Sequence, residues 1–163
     1  MHLTLETERL ILAKGKFEDW KDMYENVWSQ KETAEYLFWE ITENEEDAKE
    51  RMRRTIAFQA AHPYAWIVYE KKSGTAIGYA GMEEAENNAY RETGICLGRK
   101  YIRLGYGREI LSALIDLALN RLHAGNFIYA CRAENTASTA LCRSFGFRLV
   151  SSGETEWPDG NRY

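Results

Sequence analysis

The chain has 163 residues, 45% hydrophobic and 28% charged, the composition of one globular domain with a real core, neither disordered nor membrane-spanning. A formal net charge of -4 leaves no basic stripe to neutralise phosphates, which argues against nucleic acid as the main partner and weakly favours cationic ones. Three cysteines (Cys96, Cys131, Cys142) lack C-x-x-C spacing and three histidines (His2, His62, His123) stand out of register with them, so no metal site is expected.

The opening "MHLTLETERL" has no apolar signal core, and the longest apolar stretch, Ile110 to Leu122, is broken by Ser112, Asp116, Asn120 and Arg121. No membrane span and a cytoplasmic location with reduced thiols are expected. Residues 3–13 read as a first strand in which Leu10 and Leu12 alternate. Phe17, Trp20, Tyr24, Val27 and Trp28 then share one face at helical spacing. Thr42 followed by Glu45 reads as a capping box that opens a helix to about Ala61, with a thin apolar stripe of Ala48, Met52, Ile56 and Ala60. A hairpin follows: residues 64–70 and 75–82 are rich in strand formers, and Ser73-Gly74 is the turn signal between them.

A third strand, "YRETGICL" (90–97), runs into "KYIRLGYGREIL" (100–111) and a mostly apolar helix from Arg108 to about Leu122. "NFIYACR" (126–132) reads as a short buried strand. "NTASTALCRSF" reads as a helix capped by Asn135 and ended by Gly146, and "FRLVSS" (147–152) as a last strand. The expected order is β-α-α-β-β-β-α-β-α-β in a single domain over residues 1–163, an α+β layer fold with a largely antiparallel sheet.

A strand, glycines and then a helix can hold an anion, because the first helical amides are unpaired and carry the positive end of the dipole. Gly105 and Gly107 would let those amides converge on a ligand without a Cβ in the way. The loop is not a P-loop, since no Gly-Lys-Ser/Thr follows the strand. It is not a G-x-G-x-x-G dinucleotide loop either, since Ile110 stands where the third glycine belongs. By itself it reads equally as an anion cradle or an ordinary turn.

Together, "YIRLGYGREIL" and, about thirty residues on, "ENTASTALCRSFGF" resemble the paired signature of the GNAT N-acetyltransferases, in particular the branch of ribosomal-protein N-terminal acetyltransferases. "ETERLIL", "ETGICLG" and the N-x-x-S and GF elements look like that branch too, and the resemblance covers essentially the whole chain. It implies acetyl-coenzyme A as cosubstrate, with its pyrophosphate on the loop Arg103, Leu104, Gly105, Tyr106, Gly107 and Arg108. Ile102 stands where the family usually has a polar residue; contacts there are main-chain, so little is lost. The resemblance also implies main-chain bonds from Ile95 and Leu97 to the pantetheine arm, with Asn135 and Ser138 beside it. Asn135 and Ser138 equally read as a helix cap and first-turn hydroxyl, and the two roles are compatible.

The family often carries a tyrosine four residues after this serine to protonate the departing thiolate. Cys142 occupies that position here. A free thiol near pKa 8.5 is an adequate acid, yet cysteine is also a common packing residue; Ser138 is the hydroxyl to hand, and water or no general acid at all are the remaining alternatives. Glu92 is the candidate base for the acceptor amine, against the alternative of a solvated row with Glu83, Glu84 and Glu86. Tyr36, Phe38 and Trp39 are candidates for the acceptor mouth, with core packing as the other reading.

After Asp159-Gly160 only a few residues remain for a returning strand, so the last strand is either stunted or completed by a second copy, and a homodimer is a candidate assembly. The expected function is acetyl transfer from acetyl-coenzyme A to a primary amine, on a small molecule or a peptide N-terminus, by direct attack. No Cys-His or Ser-His pair argues for an acyl-enzyme. The alternative is a coenzyme A-binding module without turnover.

Overall fold

A computed structural model of the chain describes residues 2–35, 39–156 and 160–162. Six strands form one sheet in the order β1-β2-β3-β4-β5-β6: Leu5–Glu6, Leu10–Ala13, Ala65–Glu70, Ala76–Ala85, Ala89–Leu97 and Asn126–Ile128. Every neighbouring pair is antiparallel except β5 with β6, which are parallel. Helices α1 (Trp20–Met23), α2 (Lys31–Ala34) and α3 (Glu45–Ala61) precede β3, α4 (Tyr106–Asp116) links β5 to β6, and α5 (Thr136–Ser144) follows. The α+β layering expected from the sequence is therefore present.

Strand alternation decides which layer each residue feeds, because successive side chains point to opposite faces. On β3, Trp66 and Val68 join Leu10, Leu12, Ile77, Ile110 and Leu114 in a cluster under α4. Ile67 points the other way, into Met23, Val27, Trp28, Ala48 and Met52 beneath the first helices and α3. Trp66 is fully buried and its indole N–H donates to the Leu3 carbonyl at 2.7 Å, so its polar handle is satisfied.

Four local expectations change. Residues 3–13 are two strands, β1 and β2, folded on each other through a turn in which Thr7 N–H donates to the Leu10 carbonyl. The cap of α3 is Asn44, whose Oδ1 accepts from Asp47 N–H at 2.9 Å; Thr42 is buried and accepts from Arg51 instead. The strand expected over 126–132 ends at Ile128. Residues 147–152 form no strand, and Leu149 and Val150 are 82% and 81% exposed. Strand propensity cannot hold a strand that finds no ladder partner. At the C-terminus Glu156 and Arg162 meet in a single antiparallel bridge; Asp159 of the expected turn lies outside the described residues.

Candidate active site

The parallel pair β5 and β6 stays in register for only three residue pairs, Ala89 with Asn126, Tyr90 with Phe127 and Arg91 with Ile128. Beyond them β5 runs on to Leu97 while the other chain turns away. The result is a wedge. Gly98 N–H donates to the Ile77 carbonyl on β4 at 2.8 Å, and strand groups alternate sides. Cys96 therefore also faces β4, and the main-chain groups of Ile95 and Leu97 face the wedge. An extended ligand with amide groups could pair there as an added strand, as the resemblance implied for these two residues.

At the far end of β5 the glycine loop opens α4. Gly105 is its N-cap at φ 83°, in the left-handed region, and no side chain caps the helix. The first amides of α4 are thus left for an anion. The Tyr106 ring is buried and its hydroxyl donates to Glu70 Oε2 at 2.6 Å, so only its backbone can serve a ligand. Arg103, Leu104 and Ile102 are exposed. Arg108 reaches across to α5, donating to Ser144 Oγ at 2.5 Å and stacking on the Phe145 ring.

Arg9, one turn residue of the first hairpin, braces this loop. Its Nη1 donates to the Leu104 carbonyl at 2.9 Å, its Nε to Glu109 Oε2 at 2.9 Å, and its guanidinium lies 4.5 Å from the Tyr106 ring centroid. Thr7 Oγ1 also donates to Glu109.

Inside the wedge, Glu92 is buried, unlike Glu83, Glu84 and Glu86, which are exposed. The solvated-row alternative therefore fails. Loss of water pushes its carboxyl up to about 7, against a weaker opposing hydrogen bond from the Gly94 backbone. Thr93 is the extra residue of a bulge, since Gly81 faces Gly94 while Met82 faces Glu92; such bulges re-aim side chains. Tyr129, the first residue past β6, donates from its hydroxyl to Ser138 Oγ at 3.4 Å. Burial raises its phenol well above the ordinary value, and the nearby Glu92 charge adds to that. Ser138 N–H in turn donates to Asn135 Oδ1 at 3.2 Å, so Asn135 is the helix cap. Burial first, then Cys131 and Glu92, pushes the Cys142 thiol up to about 11.

On the opposite side of β4 lies a cavity of about 830 Å³, bounded by α3, the segment 39–43 and β3–β4, and reaching Gly81 and Thr93. Trp39 is part of its wall, donating from Nε1 to the Tyr79 hydroxyl at 2.8 Å; Tyr36 and Phe38 lie outside the described residues. The described residues hold no cluster of three or more His, Cys, Asp or Glu able to bind a metal ion, and none of their helices is long and apolar enough to cross a membrane.

Residues 9–148 match the family model of the acetyltransferase (GNAT) domain. The chain belongs to the GNAT family. It is 32% identical over 96 residues to the N-alpha-acetyltransferase RimI of Mycobacterium tuberculosis, a match covering 56% of this chain and 58% of that protein. The fold is that of a GCN5-related N-acetyltransferase from Brucella melitensis (TM-score 0.83, 17% identity, 99% of this chain and 76% of the other). It is likewise similar to RimL, a ribosomal L7/L12 alpha-N-protein acetyltransferase solved with coenzyme A (TM-score 0.73, 20% identity, 94% and 88% covered).

For a GNAT protein, the departure at Cys142 now has physical content. A thiol pushed up to about 11 is a weaker acid than a free thiol near 8.5, so the sequence-based case for Cys142 as proton donor weakens. Tyr129, whose phenol burial raises further still, has no advantage in acidity and is set apart only by its hydrogen bond to Ser138. Tyr129 supplies a hydroxyl in the same wedge. Only the topology that carries it there from β6 could have singled it out, because in the sequence it is one apolar-strand residue among seven. Cys142→Ala is expected to change kcat less than threefold, measured as thiol release; a fall of tenfold or more would return the proton-donor role to Cys142.

Proposed function

We propose that this GNAT protein transfers the acetyl group of acetyl-coenzyme A to a primary amine, on a peptide N-terminus or a small molecule, by direct attack. One observation carries the reading: a buried carboxyl poised near 7, Glu92, stands in a wedge whose other end is the uncapped N-terminus of α4. The residues present fit the cosubstrate. The loop amides at Gly105–Arg108 would hold its phosphates, with the main chain of Ile95 and Leu97, Asn135 and Ser138 along the pantetheine arm. When bound, it supplies an activated acyl carbon; the remaining work falls to the chain's own groups.

Glu92 accepts the proton of the incoming ammonium. For an α-amino group near pKa 8 that transfer costs only about 1 kcal/mol, against about 4–5 kcal/mol for a lysine near 10.4, at 1.36 kcal/mol per unit. The site therefore favours α-amino acceptors. Ser138, hydrogen-bonded to Tyr129, offers the departing thiolate a hydroxyl, with Tyr129 as the group behind it. The RimI and RimL names, alpha-N-acetyltransferases both, agree with an N-terminal acceptor.

A coenzyme A-binding module without turnover is the second reading, favoured by the Cys142 thiol where the family often has tyrosine. Calorimetric titration with acetyl-coenzyme A and with ATP, followed by thiol release on peptides, polyamines and aminoglycosides, separates the two. Binding of acetyl-coenzyme A with release on an amine is expected. Binding with no release on any amine supports the module, and no binding overturns both.

A further inference from the structure

The cavity of about 830 Å³ contains a cation that forms no ion pair among the described residues. Arg51 projects from α3 and is half-buried between two indoles, 4.9 Å from the Trp28 centroid and 4.6 Å from that of Trp39. Its Nη1 donates to the Glu40 carbonyl at 3.1 Å and to Thr42 Oγ1 at 3.0 Å. Among the described residues Nε and Nη2 have no hydrogen-bond partner, and no described carboxylate lies within 4.0 Å of the guanidinium. Those nitrogens are not sealed in, since no described buried side-chain N or O atom lacks a partner. Arg51 itself lines the cavity.

A second guanidinium, Arg54, lines the same cavity and also forms no ion pair among the described residues. Four carboxylates line the same cavity, Glu40, Glu43, Asp47 and Glu50. Glu50 pairs with Arg53 and Asp47 accepts from Asn44, and none of the four forms an ion pair with Arg51 or Arg54. The wall is continuous with the wedge. Arg51 stacks on Trp39, Trp39 donates to Tyr79, and a Cβ at Gly94 would sit 3.3 Å from the Tyr79 ring. A planar fork held between two aromatic faces with donors to spare is suited to a carboxylate, which it can take bidentately.

We infer that the acceptor of this GNAT site is an amine that also carries a carboxylate, which docks on Arg51, with Arg54 adding charge, while the amine points along Trp39 and Tyr79 towards the bulge at Thr93. The chemistry fits a free amino acid or a peptide whose first residues include Asp or Glu, and a cavity of about 830 Å³ has room for either. Partial burial lowers the Arg51 pKa, and its electrostatic neighbours are Tyr79, Arg54 and Cys96, none of them a carboxylate. The inference rests on the proposed acetyl transfer for the amine's fate, but not for the docking itself.

Binding of the twenty amino acids, and of Asp- and Glu-initiated tripeptides, is to be measured by calorimetry with and without coenzyme A, each beside its carboxamide counterpart (the amino-acid amides, and Asn- and Gln-initiated peptides). At least one acid is expected to bind ten- to a hundredfold more tightly than its amide. Free amino acids and acidic peptides are the two arms that tell the sources apart. Arg51→Met should remove that preference, and Arg51→Lys should retain part of it, with affinity for coenzyme A unchanged in both. Equal binding of acids and amides, no binding of any acid, or a preference that survives Arg51→Met overturns the inference. An acid that binds selectively yet is not acetylated would leave the docking standing and sink the proposed reaction.

Discussion

Glu92→Gln is expected to lower kcat/KM by about 10²–10⁴, the range for losing a positioned general base. In the natural protein log kcat/KM should climb with pH through a midpoint near 7, where the buried carboxyl ionises, and level off above it. The glutamine variant should lose that limb and climb instead through a midpoint near 8, where an α-amino group deprotonates without help. A pH profile of thiol release decides it; an unchanged midpoint in the variant would mean that Glu92 is not the base.

The same substitution carries a stability signature of definite sign. Burial raises the carboxyl above its ordinary 4.5 to about 7, so the folded chain keeps a proton that the unfolded chain has lost. Folding stability from this group falls as pH rises from about 4.5 to 7 and is constant on either side. The penalty above pH 7 is about 3 kcal/mol, at 1.36 kcal/mol per unit. Glu92→Gln stays neutral, so its advantage in denaturant unfolding should be absent at pH 4 and grow to about that size by pH 8. A variant that gains stability at pH 8 and loses turnover would be a stability–activity trade-off, as expected if Glu92 is the base.

Gly107→Ala should separate ligand binding from folding at the loop. A Cβ at Gly107 would meet nothing closer than Leu141 Cδ2 at 3.9 Å, ordinary contact across the gap between α4 and α5. The protein therefore has no packing reason of its own for glycine there, and alanine in a helix is better by about 0.5–1 kcal/mol. We expect an unchanged or slightly raised Tm together with acetyl-coenzyme A affinity weakened about ten- to a hundredfold, because the added methyl obstructs close approach to the amides. Gly105→Val would be less informative: at φ 83° a β-branched residue is strained by about 1–2 kcal/mol or more. Its Cβ would also press on Arg9 Nη2 at 3.2 Å, so fold and ligand site would move together. Full affinity in Gly107→Ala, measured by calorimetry, would place the phosphates elsewhere.

Periodicity and loop chemistry in the chain itself were enough for the α+β class, the hairpin of β3 and β4, the helix behind the glycines, and the cap at Asn135. These are local: alternation on Trp66, Ile67 and Val68, a left-handed glycine at 105, and an amide oxygen placed to meet Ser138 N–H are written in neighbouring residues. The paired loop and Asn-x-x-Ser signature are local too, and by resemblance they are what the proposed cosubstrate side rests on.

What the linear chain could not disclose depends on partners distant along it. Whether residues 147–152 make a strand depends on a ladder that does not form, and where β6 ends depends on its divergence from β5. Glu92 was ambiguous until burial distinguished it from the exposed glutamates nearby. Tyr129, Arg9 and Arg51 acquire roles through contacts with Ser138, Leu104, Trp28 and Trp39, residues 9 to 95 positions away. Spacing along a strand or helix is short-range information. Desolvation, counter-charge and the opening of a wedge are properties of the packed chain, and they turn Glu92 from one acidic residue among 25 Asp and Glu into a candidate base.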